Sequence, residues 1–288
     1  QMAASHIRGV QSQGVGTSLK HYAANNQEDK RLVVDAEIDA RTLREIYLAS
    51  FEGAVVQAQP WTVMCAYNRV NGTYASQNPF LLEQVLRKEW GFEGFVVSDW
   101  GAVDEREQAL ASGLELEMPA SFGRGERRVV EAVKCGALPE ATLDRAVKRL
   151  LTIIFRAADA RQEDVDLDMR THHDLARRTA EECAVLLKNE DGLLPLEPAT
   201  PVAVLGAFAE HPRYQGGGSS HIHPTCVEDA LACLAQLSNH LTYAQGFDLD
   251  DTGDDQRNEQ LLCAAVETAK AAKVAVIFAG LPDRYESE

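Results

Sequence analysis

Along the first 157 residues, short apolar runs alternate with stretches in which apolar side chains recur at three- and four-residue steps. The runs 61–67 and 95–98 are bounded by glycine, proline or polar residues, the mark of strands buried in a parallel sheet. Residues 14–20 and 114–118 read as two further strands. Between them, Leu43, Ile46, Tyr47, Phe51 and Val55 draw one apolar stripe along a helix over 40–57. A second helix is predicted over 79–90, with Asn78 as its cap and Pro79 at its first position, where a missing N–H costs nothing. Residues 104–113, 125–134 and 139–157 also read as helices. Strand-then-helix alternation means parallel strands joined by crossover helices. Four such units are visible. An open doubly wound sheet satisfies the pattern. So does the later part of an eight-stranded barrel, because the sequence starts abruptly, in helix-like residues after Gln1-Met2.

Residues 158–171 are charged and carry no periodicity, so they read as a linker. The alternation then resumes. Helices are predicted over 173–184, 227–237 and 258–272, and strands over 185–189, 201–206 and 274–280. Glu190-Asp191-Gly192 is a turn. This is a second α/β layer structure with parallel strands. It stops mid-loop at Glu288, and both ends of the chain look cut.

Composition narrows the partners. Hydrophobic residues make up 45% and charged residues 25%, as in ordinary globular proteins. No apolar run is long enough to cross a bilayer. The net charge of −16 disfavours nucleic acid and anionic membranes and suits a neutral substrate. The acidic residues are dispersed except for Asp248, Asp250, Asp251, Asp254 and Asp255, which read as a solvated loop with no EF-hand pattern. The six cysteines form no C-x-x-C pair. Their apolar neighbours predict buried free thiols in a reducing compartment, and with no visible leader this points to the cytoplasm.

Three of the predicted strands end in polar residues: Lys20, His21 and Tyr22; Tyr67 and Asn68; Asp99 and Trp100. In a parallel barrel, all three sets lie on one rim. A cation, an imidazole, a phenol, a carboxylate and an indole together suit a sugar. The polar groups bind ring hydroxyls, and the indole packs on the apolar face of a pyranose. Each residue alone has an ordinary reading. Asp99 could cap a helix, Lys20 could be a surface lysine, His21 a hydrogen-bonded structural histidine, Tyr67 a lid on the core, and Trp100 plain core. Asn68, Asn71 and Gly72 look like turn formers. The coincidence on one rim is what points to a site.

These segments carry a resemblance. Lys20-His21-Tyr22, Arg31, Met64-Cys65-Ala66-Tyr67-Asn68 and Ser98-Asp99-Trp100 resemble glycoside hydrolase family 3, the β-glucosidase family. So do Leu187-Lys188-Asn189, Gly192-Leu193-Leu194-Pro195-Leu196 and Gly216-Gly217-Gly218-Ser219-Ser220. The resemblance implies an α/β fold, a partial (β/α)8 TIM-type barrel followed by part of an α/β sandwich. Residues 1–157 would be the C-terminal part of the barrel, 158–171 the linker, and 172–288 the N-terminal part of the sandwich, with the active site between the two domains. Asp99 would be the catalytic nucleophile. Lys20, His21, Arg31, Met64, Tyr67 and Trp100 would surround the −1 sugar, with Ser219 reaching in from the second domain. The general acid/base would fall on Glu288, with Glu286 as the fallback. The family's sugar-binding Asp and Arg of the early barrel find no match here, so an incomplete −1 site is expected.

The implied reaction is release of terminal β-D-glucose from a β-glucoside or neutral oligosaccharide by double displacement, with no cofactor and no metal. Retention needs the two carboxyls about 5–5.5 Å apart in a complete site. A β-xylosidase, arabinofuranosidase or N-acetylglucosaminidase of the same family stays open, as does a homo-oligomer. Ala23-Ala24-Asn25-Asn26 stands where the hexosaminidase branch carries a histidine-bearing loop, which favours the glucosidase. A carbohydrate-binding protein without catalysis is opposed by the presence of Asp99. A nucleotide-binding protein is opposed by the lack of G-x-G-x-x-G after any strand.

Overall fold

A computed structural model describes residues 1–163, 165–250 and 255–285. The chain divides into two units, Gln1–Asp168 and Met169–Glu288. Each is a mixed α/β structure built on a parallel sheet.

In the first unit the strands are β1 (Ser18–Tyr22), β2 (Asp35–Ala36), β3 (Thr62–Cys65), β4 (Arg69–Val70), β5 (Thr73–Tyr74) and β6 (Phe95–Val97). β1, β3 and β6 form one parallel sheet with β3 in the middle, an open arc of TIM-barrel type. The β1-to-β3 crossover contains Ala40–Thr42, a wider π-wound stretch Leu43–Leu48, and Ala49–Ala58. Asp39 starts it by accepting from the Arg41 and Thr42 amides. The β3-to-β6 crossover contains the π-wound helix Phe80–Glu89, and the Asn78 side chain accepts from the Leu81 amide at its start. Leu43, Leu48 and Val55 from the first crossover and Leu81, Leu82, Val85 and Leu86 from the second pack on Val63 and Val96 in one core.

Tyr22 departs from the sequence reading. It was expected on the polar rim but is fully buried in this core. Its ring meets Phe51 and Trp90 edge-on, and its hydroxyl donates to the Leu81 carbonyl at 2.9 Å. Burial pushes the phenol far above its ordinary range, so it stays neutral. Tyr22→Phe is expected to cost about 1 kcal/mol in chemical denaturation, the worth of one buried hydrogen bond.

β2, β4 and β5 make a small second sheet, with β2 and β4 parallel and β4 and β5 antiparallel. Asn71 and Gly72 join β4 to β5 with φ of 51° and 87°, the backbone that a two-residue type I′ hairpin demands. The Asn71 side chain also accepts from the Ile38 amide at 2.8 Å and donates to the Ile38 carbonyl at 3.0 Å. This hairpin therefore anchors the far end of the segment that carries Arg31.

Residues 114–118 do not form the fourth strand expected of them. A single parallel bridge joins Leu116 to Val97. The amides of Glu115 and Leu116 both donate to the Val96 carbonyl, and the ladder stops beyond Leu116 because the Met118 amide bonds to the Ser98 side chain. The Glu115 side chain turns into the core instead. Its carboxylate accepts from Arg87 at 2.8 Å, from Arg149 at 2.6 Å and from the Val96 amide at 2.6 Å.

The second unit has β7 (Val202–Leu205), β8 (Leu241–Ala244) and β9 (Val274–Ile277), all parallel, in the order β8-β7-β9. β7 is buried at every residue, as its unbroken apolar run requires of a central strand. Helices Ala230–Leu237 and Asp255–Lys270 lie in the chain between the strands, and Met169–Cys183 precedes them. β8 has no counterpart among the strands expected from the sequence. The strand expected over 185–189 is absent. Val185, Leu186 and Leu187 are exposed, and among the described residues nothing pairs with them. A strand needs a partner as well as an apolar run. Asp248 binds Arg257 at 2.7 Å, while Asp251 and Asp254 lie outside the described residues.

The cysteines also correct the sequence reading. Cys65 alone is buried; Cys135, Cys183, Cys226, Cys233 and Cys263 are exposed, and all six are free. Apolar neighbours in sequence sit on either face of a helix, so they do not report burial. Burial pushes the Cys65 thiol up to about 12, which keeps it protonated and unreactive. In the folded chain, an aromatic disulfide reagent is expected to titrate the five exposed thiols and to reach Cys65 only after denaturation.

Candidate active site

The site starts from an irregularity in β1. Leu19 pairs with Val63 and Tyr22 with Cys65, so Lys20 and His21 together oppose the single residue Met64. The extra residue is a bulge, which re-aims side chains locally. It leaves Lys20 exposed and His21 half-buried, while Tyr22 turns into the core.

Asp99 follows β6, one residue beyond Ser98, and is almost buried. Each of its carboxylate oxygens has a partner. Oδ1 accepts from the Trp100 amide at 2.8 Å, and Oδ2 lies 3.3 Å from His21 Nε2. The Tyr67 hydroxyl donates to the Trp100 carbonyl at 3.1 Å, tying the exit of β3 to the exit of β6. The Arg31 guanidinium stands over the Tyr67 ring, 5.2 Å from its centre, and pairs with Glu28. Burial works against the charge on Glu28, but hydrogen bonds from Asn25 and Arg31 outweigh it and hold the carboxyl below its ordinary range. Met64 pairs in register with Val97 and is nearly buried. Trp100 keeps 52% of its surface exposed, so its indole is available to a ligand.

Direct contacts thus gather His21, Arg31, Tyr67, Asp99 and Trp100, with Met64 in the adjoining register and Lys20 on the bulge. A carboxylate held at both oxygens is preorganised to attack or to stabilise developing positive charge. Glu28 was not singled out in the sequence. No local periodicity points to it, because residues 25–28 lie in irregular backbone where spacing does not fix which side chains meet. Among the described residues, no cluster of His, Cys, Asp and Glu could hold a metal ion. Nor is any helix there long and apolar enough to cross a membrane.

In the second unit, Ser219 lies exposed in the short turn Gly218–Ser220. Asp283 binds Arg213 at 3.0 Å and His221 at 3.1 Å, and Arg213 also donates to the Leu281 carbonyl. These bonds tie the segment after β9 to the loop that carries Ser219. Glu286 and Glu288 lie outside the described residues.

Residues 1–153 match the N-terminal domain of glycosyl hydrolase family 3, and residues 184–288 match its C-terminal domain. The chain belongs to glycosyl hydrolase family 3. It is 53% identical to the thermostable β-glucosidase B of Acetivibrio thermocellus over its whole length, which is 38% of that protein. It is 48% identical to the exo-α-(1→6)-L-arabinopyranosidase of Bifidobacterium longum, covering 98% of this chain and 38% of the relative. The crystal structure of a Bifidobacterium adolescentis family 3 β-glucosidase superposes with a TM-score of 0.90 at 47% identity, over 98% of this chain and 41% of that one. This family 3 chain therefore spans about two fifths of the length of such relatives.

Proposed function

We propose that this chain carries the nucleophile-bearing part of a retaining β-glucosidase that releases terminal β-D-glucose from neutral β-glucosides. The observation behind this reading is the placement of Asp99: nearly buried, held at both oxygens, in contact with His21, and followed by an exposed indole whose residue is bonded by Tyr67, with Arg31 over the Tyr67 ring. In this reading Asp99 attacks the anomeric carbon and forms a glycosyl ester. His21, Arg31, Lys20, Met64, Tyr67 and Trp100 surround the sugar. Residues 1–157 supply barrel, 158–171 the linker, and 172–288 supply Ser219 and the acid/base, Glu288 with Glu286 as fallback. That glutamate protonates the leaving oxygen and then activates the water that frees the sugar. The six free thiols support a cytoplasmic setting.

A 2-deoxy-2-fluoro-β-glucoside with a good leaving group tests this. It should trap the glycosyl-enzyme, and the labelled peptide should carry its adduct on Asp99. A label on any other carboxylate ends the assignment. The B. longum relative favours a second reading, a pentopyranosidase, since an L-arabinopyranoside lacks the hydroxymethyl group of a glucoside. Comparing nitrophenyl β-D-glucoside with nitrophenyl α-L-arabinopyranoside by kcat/KM separates the two.

A further inference from the structure

We propose that Ser98 is a positioning residue for Asp99, fixing the carboxylate's height at the sheet exit through a side-chain lock on Met118; this rests on reading Asp99 as the nucleophile. The need for a lock arises from the failed ladder beside β6. The Ser98 amide makes the last backbone bond of the Val97–Leu116 bridge, donating to the Leu116 carbonyl at 2.9 Å. From there the serine side chain takes over the work of a ladder. Ser98 is fully buried. Its hydroxyl accepts from the Met118 amide at 2.8 Å and donates to the Met118 carbonyl at 3.2 Å. One hydroxyl can do both at once; no apolar side chain of that size can do either.

The same Met118 carbonyl accepts from the Gly101 amide at 2.9 Å. Residues 98 and 101 flank Asp99 and Trp100, and both converge on one residue of the neighbouring segment. The four-residue turn Asp99–Ala102 closes with the Ala102 amide donating to the Asp99 carbonyl at 3.1 Å. Gly101 supplies the φ of +83° that this turn uses. Ser76 completes the cradle, donating to the Ala102 carbonyl at 2.7 Å. Asp99 is thus carried on a turn pinned at its entry by Ser98, at its third residue by Gly101 and at its exit by Ser76. Of these anchors, only Ser98 adjoins the carboxylate residue and uses its side chain twice. A shift of about 1 Å at a reacting atom can cost about a hundredfold in rate.

The test measures trapping by the fluorinated glucoside in the intact enzyme. Ser98→Ala should slow formation of the adduct tenfold to a hundredfold. For the ordinary glucoside kcat should fall, with KM changed less than twofold. Ser98→Thr keeps the hydroxyl and should recover most of the trapping rate. Should the alanine variant not fold, Ser98→Cys keeps the volume while weakening both bonds, and should trap several-fold more slowly than wild type. A serine that only stabilises the fold would lower Tm and leave the trapping rate intact, and that result overturns the proposal. Mapping the wild-type label separates the two readings. Label on Asp99 with unchanged trapping in both the alanine and the cysteine variants rejects the role of Ser98 alone; label elsewhere rejects the nucleophile and Ser98 with it.

Discussion

Asp99→Ala is expected to lower kcat in the intact enzyme by about four orders of magnitude or more, the scale seen when a nucleophile is removed from a working set. The physical reason is that no neighbour can substitute. His21 contacts the carboxylate but is held on the β1 bulge by its strand, and Cys65, though close in the sheet, has its thiol pushed up to about 12 by burial. Folding should be nearly unaffected, because Asp99 contributes one hydrogen bond to a local amide and one contact with a half-exposed imidazole. The vacated space should also admit a small anion. Added azide or formate is expected to restore turnover with activated substrates and, with azide, to yield a glycosyl azide of inverted configuration, since it would attack from the face proposed for Asp99. Wild-type turnover in the alanine variant, measured with nitrophenyl glucoside, would remove Asp99 from the mechanism.

The largest loss of stability is expected at Glu115, far less conspicuous in the sequence. Its carboxylate is almost wholly buried between Arg87, itself 6% exposed at the side chain, and Arg149. Burial pulls the Arg87 guanidinium below its ordinary value, and the Glu115 charge is the largest influence opposing that. Removing the carboxylate strands a buried cation and frees the Val96 amide at the middle of β6. Losses of this kind run to about 3–5 kcal/mol. Arg87 would keep its bonds to the Phe92 and Gly94 carbonyls, which places Glu115→Ala near the lower end. For a protein of this size the change corresponds to a fall in Tm of roughly 10 °C. Glu115→Ala combined with Arg87→Met should recover only the part of the loss that comes from the stranded cation, because the Val96 amide and the Phe92 and Gly94 carbonyls then all lack their side-chain partners. A Tm within 2 °C or so of wild type for the single variant would show the network to be dispensable.

These two residues mark how far a sequence can be read. The place of Asp99 at the exit of β6 is legible because a carboxylate at the end of an apolar run has few places to go. Glu115 sits inside the segment 114–118, where alternating Leu and Glu imitate a half-exposed strand. Nothing local says that the glutamate points inward, because its partners stand 28 and 34 residues away in the chain. Tyr22 shows the same limit from the other side. It adjoins Lys20 and His21 in sequence, yet the β1 bulge sends it to the core while leaving Lys20 exposed.

What the sequence determined by itself is the alternation of strands and helices, the parallel sense of the two main sheets, and the exits of β1, β3 and β6 where polar side chains collect. These follow from burial acting on neighbours a few residues apart, which leaves its period in the chain. What only the tertiary structure decided is the bulge in β1, the collapse of the 114–118 strand onto a single bridge, the pairing of β8, the unpaired state of 185–187 and the exposure of five cysteines. Each depends on which distant backbone lies alongside. A ladder partner or a burying neighbour is a property of the folded arrangement, and the local pattern carries no record of it.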